Sequence, residues 1–349
     1  MSPYRRPAWP TNSEPPSAAP GVVPPGSSPG VADVHAAAAL LSAVAAPTPV
    51  LTSAALDRRT RAEVWIKCEN LQRTGSFKFR GAYTALARLG AAERAQGVIA
   101  FSSGNHAIAV ATAARERDTP AVIVMPADAP PGKLASVAAL GARVVTFDRY
   151  TEDRFALTER LAADHDLIAI PPYDHPDVIA GAGTTTLELL EQTGALDTLV
   201  IPLGGGGQLA GAGVVTAAES PATRLVGVET ATGDKTRRSL RAGRRIRIPV
   251  PRTIADGVTG ETPGELTFAI NRRHLDDVVV VHDHEILAAM AWMFEETKLV
   301  VEPTGALGIA ALLAGRLEVS DQRLGVVVSG GNIELRRFHA LMRSLAAGR

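Results

Sequence analysis

The sequence predicts an α/β protein built on parallel sheets with helices on both faces. Three observations predict it. Short apolar runs of strand length recur along the chain, helical stretches of ten or more residues separate most of them, and glycine- or serine-rich turns follow several strand ends. A strand that is apolar on both faces must be covered on both, and a parallel sheet flanked by helices does this.

Taken in order, residues 1–30 are rich in Pro, Ser and Gly and read as a mobile tail. Val31–Ala46 reads as a helix, with Thr48–Leu51 extended after it. Strands are expected at Glu63–Lys67, Val98–Phe101, Ala121–Met125, Arg143–Phe147 and Leu167–Ile170. A second group is expected at Leu199–Pro202, Leu225–Glu229, Val278–Val281 and Leu324–Val328. Helical stretches fill most of the intervals, among them about Ala107–Arg117 and the Ala/Gly/Val-rich Leu209–Ala218. No repeat of fixed period interrupts the alternation.

Composition narrows the function classes. With 349 residues, 46% of them hydrophobic, the chain can bury one or two sizeable cores. Thirty-six basic and 36 acidic residues leave no net charge, so nothing draws the chain electrostatically to nucleic acid or to an acidic membrane surface. The basic run Lys235, Arg237, Arg238, Arg241, Arg244, Arg245 and Arg247 reads as a solvated helix and loop. No run of about eighteen apolar residues exists, so no transmembrane helix is expected. Arg5-Arg6 is not followed by an apolar segment and is not read as an export signal. The single cysteine, Cys68, cannot form an intrachain disulfide, suits a cytoplasmic location, and reads as core packing at a strand end.

Four segments carry chemistry. KCENLQRTGSFKFRGA (Lys67–Ala82) places Lys78 beside Ser76 and Phe77, between Gly75 and Gly81. A lysine is ordinarily solvated, but a neighbourhood that lets the amine lose its proton turns it into a nucleophile toward aldehydes and ketones. Gly204-Gly205-Gly206-Gly207 stands between an apolar strand and a helix, where unobstructed amides at a helix start suit a phosphate. Phe101-Ser102-Ser103-Gly104-Asn105-His106-Ala107 also joins a strand to a helix; one Ser or Asn would suffice as a cap, and this many donors could grip a carboxylate. Ser329-Gly330-Gly331-Asn332 follows a buried-type strand and by itself marks only a turn.

GSFKFRGA, SSGNHA, the tetraglycine and SGGN, in this order, resemble the pyridoxal-phosphate enzymes built like the tryptophan synthase β-subunit, most closely the threonine/serine dehydratase and serine racemase branch. TIADG (Thr253–Gly257), TPGELTF (Thr262–Phe268) and VEPTGA (Val301–Ala306) add to the likeness, which spans about Ala32 to Leu341. The resemblance implies two parallel-sheet domains with the cofactor in the cleft between them: a small α/β domain at 97–175 inserted into a large one made of 31–96 and 176–349. It also implies a homodimer, and no regulatory domain after Leu341.

The resemblance further implies that Lys78 is bonded to pyridoxal phosphate and acts as the base at Cα, with Phe77 against the ring and Asn105 on the ring oxygen. The amides of Gly204, Gly205, Gly206 and Gly207 would hold the phosphate, Ser329 would face the ring nitrogen, and Gly257 and Glu302 would shape the cleft, although Glu302 could instead cap the next helix. Ser103 would stand opposite Lys78, able to carry a proton. Ser102, Ser103, Asn105 and His106 would bind the substrate carboxylate, and Arg154 could reach the substrate or remain a solvated helix residue. Relatives often bind a divalent cation after the strand that here ends at Glu229. Glu229 is in place, but Lys235 stands where a second carboxylate is usual, and its ammonium could pair with Glu229 in place of a metal. His282-Asp283-His284-Glu285 looks like a metal cluster, but Asp283 as a helix cap is the simpler account.

The expected activity is an ammonia-lyase acting on serine, threonine or a related β-hydroxy amino acid, with release of a 2-oxo acid. A racemase on the same scaffold is the alternative. A threonine synthase-type replacement enzyme fits less well, because its lysine is commonly followed by Asp-Arg and here by Phe79-Arg80. An inactive cofactor-binding scaffold is disfavoured by the intact lysine, glycines and serines. Ile108 and Ala182 stand where relatives usually carry glutamine, and Gln208 where an apolar residue is usual, so the pocket is expected to differ from that of a housekeeping threonine dehydratase.

Overall fold

A computed structural model describes residues 28–102, 104–129, 131–148 and 150–347. The expected tail therefore lies, up to residue 27, outside the described residues. Gly30 is not part of it: it is the N-cap of the first helix, where its amide donates to Asp33 Oδ2 at 2.8 Å.

The chain begins with α1 (Val31–Leu41), β1 (Val50–Leu51), α2 (Ala54–Thr60) and β2 (Glu63–Cys68). It continues through α3 (Lys78–Arg88), α4 (Ala91–Gln96), β3 (Val98–Phe101), α5 (Asn105–Glu116), β4 (Ala121–Pro126) and α6 (Pro131–Ala139). Then come β5 (Arg143–Phe147), α7 (Arg154–Asp164), β6 (Ile168–Ala169), α8 (Pro176–Thr193), β7 (Thr198–Pro202) and α9 (Gly207–Glu219). The remainder is β8 (Arg224–Thr230), α10 (Lys235–Ala242), α11 (Glu265–His274), β9 (Asp277–Val281), α12 (Asp283–Trp292), α13 (Leu307–Leu313), β10 (Arg323–Val328) and α14 (Leu335–Ala347).

These strands form two sheets. The larger has the order β1-β2-β10-β7-β8-β9 and the smaller β5-β4-β3-β6. Every pairing is parallel except one: β1 runs antiparallel to β2, with Val50 opposite Lys67. Two expectations need correction here. The first helix stops at Leu41 rather than Ala46, because Ser42 turns its hydroxyl back onto the Ala39 carbonyl and Pro47 forbids helix at the residue before it. The strand expected over Leu167–Ile170 is paired only at Ile168–Ala169, as suits the edge of a sheet.

Burial explains the all-apolar strands. In the small sheet Val98, Ala100, Ala121, Ile123 and Met125 pack into one cluster, while Ile99, Val122 and Val124 pack into another on the opposite face. In the large sheet Val64, Ile66, Val326 and Val328 face one cluster, and Leu199, Ile201 and Val327 face another. Successive residues of a strand point to opposite faces, so both sets must be apolar.

Between the sheets α3, α8 and α9 cross closely. A Cβ on Gly181 would approach the Arg80 carbonyl to 2.5 Å, and one on Gly211 the Ile179 carbonyl to 2.5 Å, so only glycine allows these backbones to touch. Ala182, in the same run, is buried there. The start of α3 is further held by a buried ionic network. Arg80 donates through Nε and Nη2 to both oxygens of Glu69 (2.8 and 2.7 Å) and pairs with Glu188 at 3.0 Å. Lys67 donates to Glu188 (2.5 Å), Gln192 (2.7 Å) and the Thr48 carbonyl (2.9 Å). Two positive and two negative charges thus satisfy one another across β2, α3 and α8.

Candidate active site

Lys78 opens α3 directly after a short crossing of two loops. Ser76 bridges Gly330, the Phe77 amide donates to the Ser329 carbonyl at 3.1 Å, and the Gly331 amide donates to the Gly75 carbonyl at 2.9 Å. GSFK and SGGN, far apart in sequence, are therefore one structural unit. The Lys78 amine donates to the Pro172 carbonyl at 2.5 Å and lies 4.9 Å from the centre of the Phe77 ring. Burial pushes its pKa down to about 8, since no nearby anion offsets the cost of the charged form. An amine so placed is a nucleophile and base near neutral pH.

Lys78 faces a cavity of about 210 Å³, just below the usual range of small-molecule sites. Phe77, Ser102, Asn105, His106, Arg154, the four glycines 204–207, Gly257, Glu302 and Ser329, all singled out from the sequence, line it. Ser103 lies outside the described residues, and with it the structural basis for the two-face proton transfer a racemase needs. Glu229 and Lys235 lie beyond the cavity wall.

The glycine turn runs from β7 into α9. Gly206 has φ of 93°, left-handed, and is the N-cap of α9. The Gly205 carbonyl accepts from Thr267 Oγ1 at 2.8 Å and the Gly206 carbonyl from Asn271 Nδ2 at 3.2 Å. In a trans peptide the N–H points opposite to the carbonyl, so the Gly206 and Gly207 amides are turned away from α11 and toward the cavity. Added Cβ atoms would strike the Gly257 carbonyl from Gly204, the Tyr173 ring from Gly205 and Tyr173 Cβ from Gly207. A helix N-terminus with unobstructed amides fits a phosphate, and a desolvated lysine across the cavity fits an aldehyde; the residues present suit pyridoxal phosphate.

Asn105, the first residue of α5, uses one amide hydrogen on Glu302 Oε1 (2.6 Å), while its own Oδ1 accepts from Asn332 Nδ2 (2.8 Å). Glu302 does not cap the following turn through its side chain; it is buried in the cavity wall. Burial first, and Asp256 second, push its carboxyl pKa up to about 8. His106 donates from Nε2 to the Ile170 carbonyl at 2.8 Å, leaving Nδ1 buried without a partner. Burial, and then Lys78, push its pKa down to about 3, so the ring stays neutral and any role toward a carboxylate falls to its backbone amide. Ser102 Oγ accepts from the Gly104 amide at 3.1 Å. Arg154, exposed at the start of α7, lies 5.4 Å from the Phe101 ring and 5.0 Å from the Phe155 ring.

Two polar lining residues, Lys133 and Tyr173, have no motif to announce them, and a third, Thr304, is announced only as part of VEPTGA. Lys133, in the first turn of α6, packs beside Gly104 and sits 3.9 Å from Asp256. Tyr173 follows β6, and Thr304 Oγ1 accepts from the Gly257 amide at 3.0 Å. Gln208 is a fourth polar contribution: its side chain is buried at the cavity, and neither Nε2 nor Oε1 has a protein partner. Ile108, by contrast, packs with the apolar cluster around α3 and α5.

The arrangement at Glu229 does not suit a divalent cation. Lys235 Nζ lies 3.3 Å from Glu229 Oε1, both side chains are fully buried, and no group of three His, Cys, Asp or Glu residues able to hold a metal occurs among the described residues. The cluster at His282 is also structural, though not as expected. His282, not Asp283, is the N-cap of α12; Glu285 accepts from the His282 amide, and Asp283 instead accepts from Thr253 Oγ1 (2.5 Å) and the Ile254 amide (3.1 Å), anchoring the TIADG loop. No helix among the described residues is long and apolar enough to cross a membrane.

Residues 41–330 match the family described as pyridoxal-phosphate dependent enzyme. The chain is 49% identical to the L-threo-3-hydroxyaspartate ammonia-lyase of a Pseudomonas species over 311 residues, 89% of this chain and 98% of the relative. It is 42% identical to the serine racemase of Schizosaccharomyces pombe, over 88% of this chain and 95% of that one. Among solved structures, maize serine racemase superposes with a TM-score of 0.86 at 34% identity, covering 92% of this chain and 99% of that chain. The likeness takes in both sheets, and the fold is the tryptophan synthase β-like one that the motif order implied.

Proposed function

Because the chain belongs to the pyridoxal-phosphate dependent enzymes, we propose that it is an ammonia-lyase acting on a β-hydroxy amino acid that carries a second carboxylate. One observation carries the reading: the cavity that holds the desolvated Lys78 amine is lined on its other side by two further cationic side chains, Lys133 and Arg154. The Pseudomonas relative is called an L-threo-3-hydroxyaspartate ammonia-lyase, and its named substrate has such a second carboxylate. The yeast relative of the same name, 48% identical, supports the same class.

Lys78 would hold the cofactor, the Gly204–Gly207 amides its phosphate, Asn105 its ring oxygen and Ser329 its ring nitrogen, with Phe77 beside the ring. When bound, pyridoxal phosphate supplies an electron sink that acidifies the substrate's Cα–H bond. Lys78, freed when the substrate's amine takes its place, would accept the Cα proton; as a free amine its depressed pKa leaves a substantial fraction neutral near pH 8. The backbone amides of Asn105 and His106, at the positive end of α5, hold the α-carboxylate together with the Ser102 hydroxyl, since the Ser102 amide is taken by the Val124 carbonyl. Lys133 and Arg154 meet the distal carboxylate and so select the substrate. A serine at 329 does not impose a charged ring nitrogen as a carboxylate would, which favours loss of the hydroxyl as the Cα proton leaves. Glu302, its pKa raised to about 8, adds little negative charge at neutral pH to a site that must accept a dianion.

Ammonia and 2-oxo acid release from L-threo-3-hydroxyaspartate, L-serine and L-threonine tests this. The dicarboxylic substrate should show a kcat/KM at least about tenfold above the others. Equal or inverted values would remove the second carboxylate from the reading, and no 2-oxo acid from any of the three would remove the lyase. Recovered substrate of inverted configuration would favour the racemase.

A further inference from the structure

The end of β8 carries a charge pair that the chemistry above does not use. Glu229 and Lys235 are each 0% exposed, with Nζ and Oε1 at 3.3 Å. The carboxylate is also held by the first amides of α10: Oε1 accepts from Thr236 N at 2.9 Å and Oε2 from Arg237 N at 3.0 Å. The ammonium makes a second contact, donating to the Val258 carbonyl at 3.4 Å. Val258 closes the short turn Asp256–Val258, and Gly257, Val258, Thr259 and Gly260 form part of the cavity wall. A Cβ on Gly260 would come within 3.7 Å of Lys235 Cε, and one on Gly204 within 2.8 Å of the Gly257 carbonyl. One ammonium therefore connects a strand end to the wall and, through the wall, to the glycine turn.

A carboxylate together with backbone carbonyls is the donor set that hard divalent cations take. Here a lysine nitrogen stands among those oxygens, and a second cation at contact distance would be repelled by it. Burying a charge pair this deeply brings little net stability, so its presence calls for another reason. We propose that Lys235 is a built-in cation: it ties Glu229 to the Val258 carbonyl, positions the Gly257–Gly260 wall, and makes a bound divalent ion unnecessary. Lys235 touches no reacting atom and is a positioning residue.

The test uses the purified, cofactor-loaded enzyme. EDTA, followed by Mg²⁺ or Mn²⁺, should leave both melting temperature and turnover unchanged; a fall with EDTA that metal reverses overturns the proposal. Lys235→Asp, stripped of metal, should melt lower and show a KM raised by about tenfold, as for lost supporting contacts elsewhere. Mn²⁺ should restore both, and terbium luminescence should titrate to saturation with Lys235→Asp but not with the unaltered enzyme. Absence of ion binding by a folded Lys235→Asp, or a KM in it that does not respond to the ion, overturns the proposal. Should that variant fail to fold, Lys235→Met combined with Glu229→Gln removes both charges together and should raise KM several-fold with kcat nearly kept; an unchanged KM overturns it. The melting and luminescence readings need no turnover and so stand apart from the substrate reading, on which only the KM arm rests.

Discussion

The two walls of the cavity are built differently. On the large-sheet side Gly206, Gly207, Glu302, Thr304 and Ser329 are buried, and the backbone there is tied down from behind by Thr267, Asn271 and the Gly330–Ser76 bridge. On the small-sheet side Ser102, Asn105 and Lys133 are half-buried and Arg154 is exposed, so this wall presents long side chains from the first turns of α6 and α7. Groups locked by packing give fixed geometry; exposed long side chains give reach and are easily exchanged. On the proposed reading, bond-breaking falls to the first wall and choice of substrate to the second.

Substitutions in the two walls should therefore fail in different ways. Lys78→Ala should reduce turnover by at least about 10³-fold while circular dichroism stays unchanged; measurable turnover near the original rate would displace Lys78 from its role. Gly205→Ala pushes a methyl into the Tyr173 ring and should cost about 1–3 kcal/mol of stability in urea unfolding, with weaker cofactor retention. Arg154→Met should raise KM for the dicarboxylic substrate by about tenfold, leave kcat nearly unchanged and spare L-serine. A fall in kcat for both substrates would place Arg154 in the rigid wall after all.

The smallest effect concerns Glu302 and is read in the cofactor-free protein. Its folded carboxyl is raised from 4.5 to about 8, so the folded chain keeps a proton that the unfolded chain has lost in that interval. The stability this provides is complete below about pH 4.5 and disappears as pH rises through about 8. Glu302→Gln, whose amide oxygen can still accept from Asn105, should flatten that decline in melting temperature between pH 5 and 8.5. An unchanged slope would show that Glu302 is ionised in the folded protein.

The rigid wall was largely legible in the sequence and the adaptable one only in part, through SSGNHA and Arg154 but not Lys133 or Tyr173, for a physical reason. The tetraglycine, GSFK and SGGN need particular backbone shapes, and such needs restrict residue choice locally. Lys133 and Tyr173 answer to no local need: each follows a strand of the small sheet, and only the position of that sheet opposite the large one brings them to the cavity. Strand positions were legible because burial on both faces demands apolar runs, as in Ala121–Pro126. Ends were less so, since Ser42 and Pro47 stop the first helix by turn chemistry inside an alanine-rich stretch that otherwise favours helix. Asp283 looked like a cap because its position fits one, yet its partner, Thr253, is 30 residues away and leaves no trace nearby.

The four-charge cluster of Lys67, Glu69, Arg80 and Glu188 has a consequence for how the chain matures. Its balancing carboxylate, Glu188, is 121 residues downstream of Lys67. Until α8 has left the ribosome, the strand bearing Lys67 and the helix that begins at Lys78 face an excess of positive charge if they try to dock. The N-terminal third must therefore wait, and a chain halted before residue 176 should be digested by protease at its first 90 residues as readily as an unfolded one.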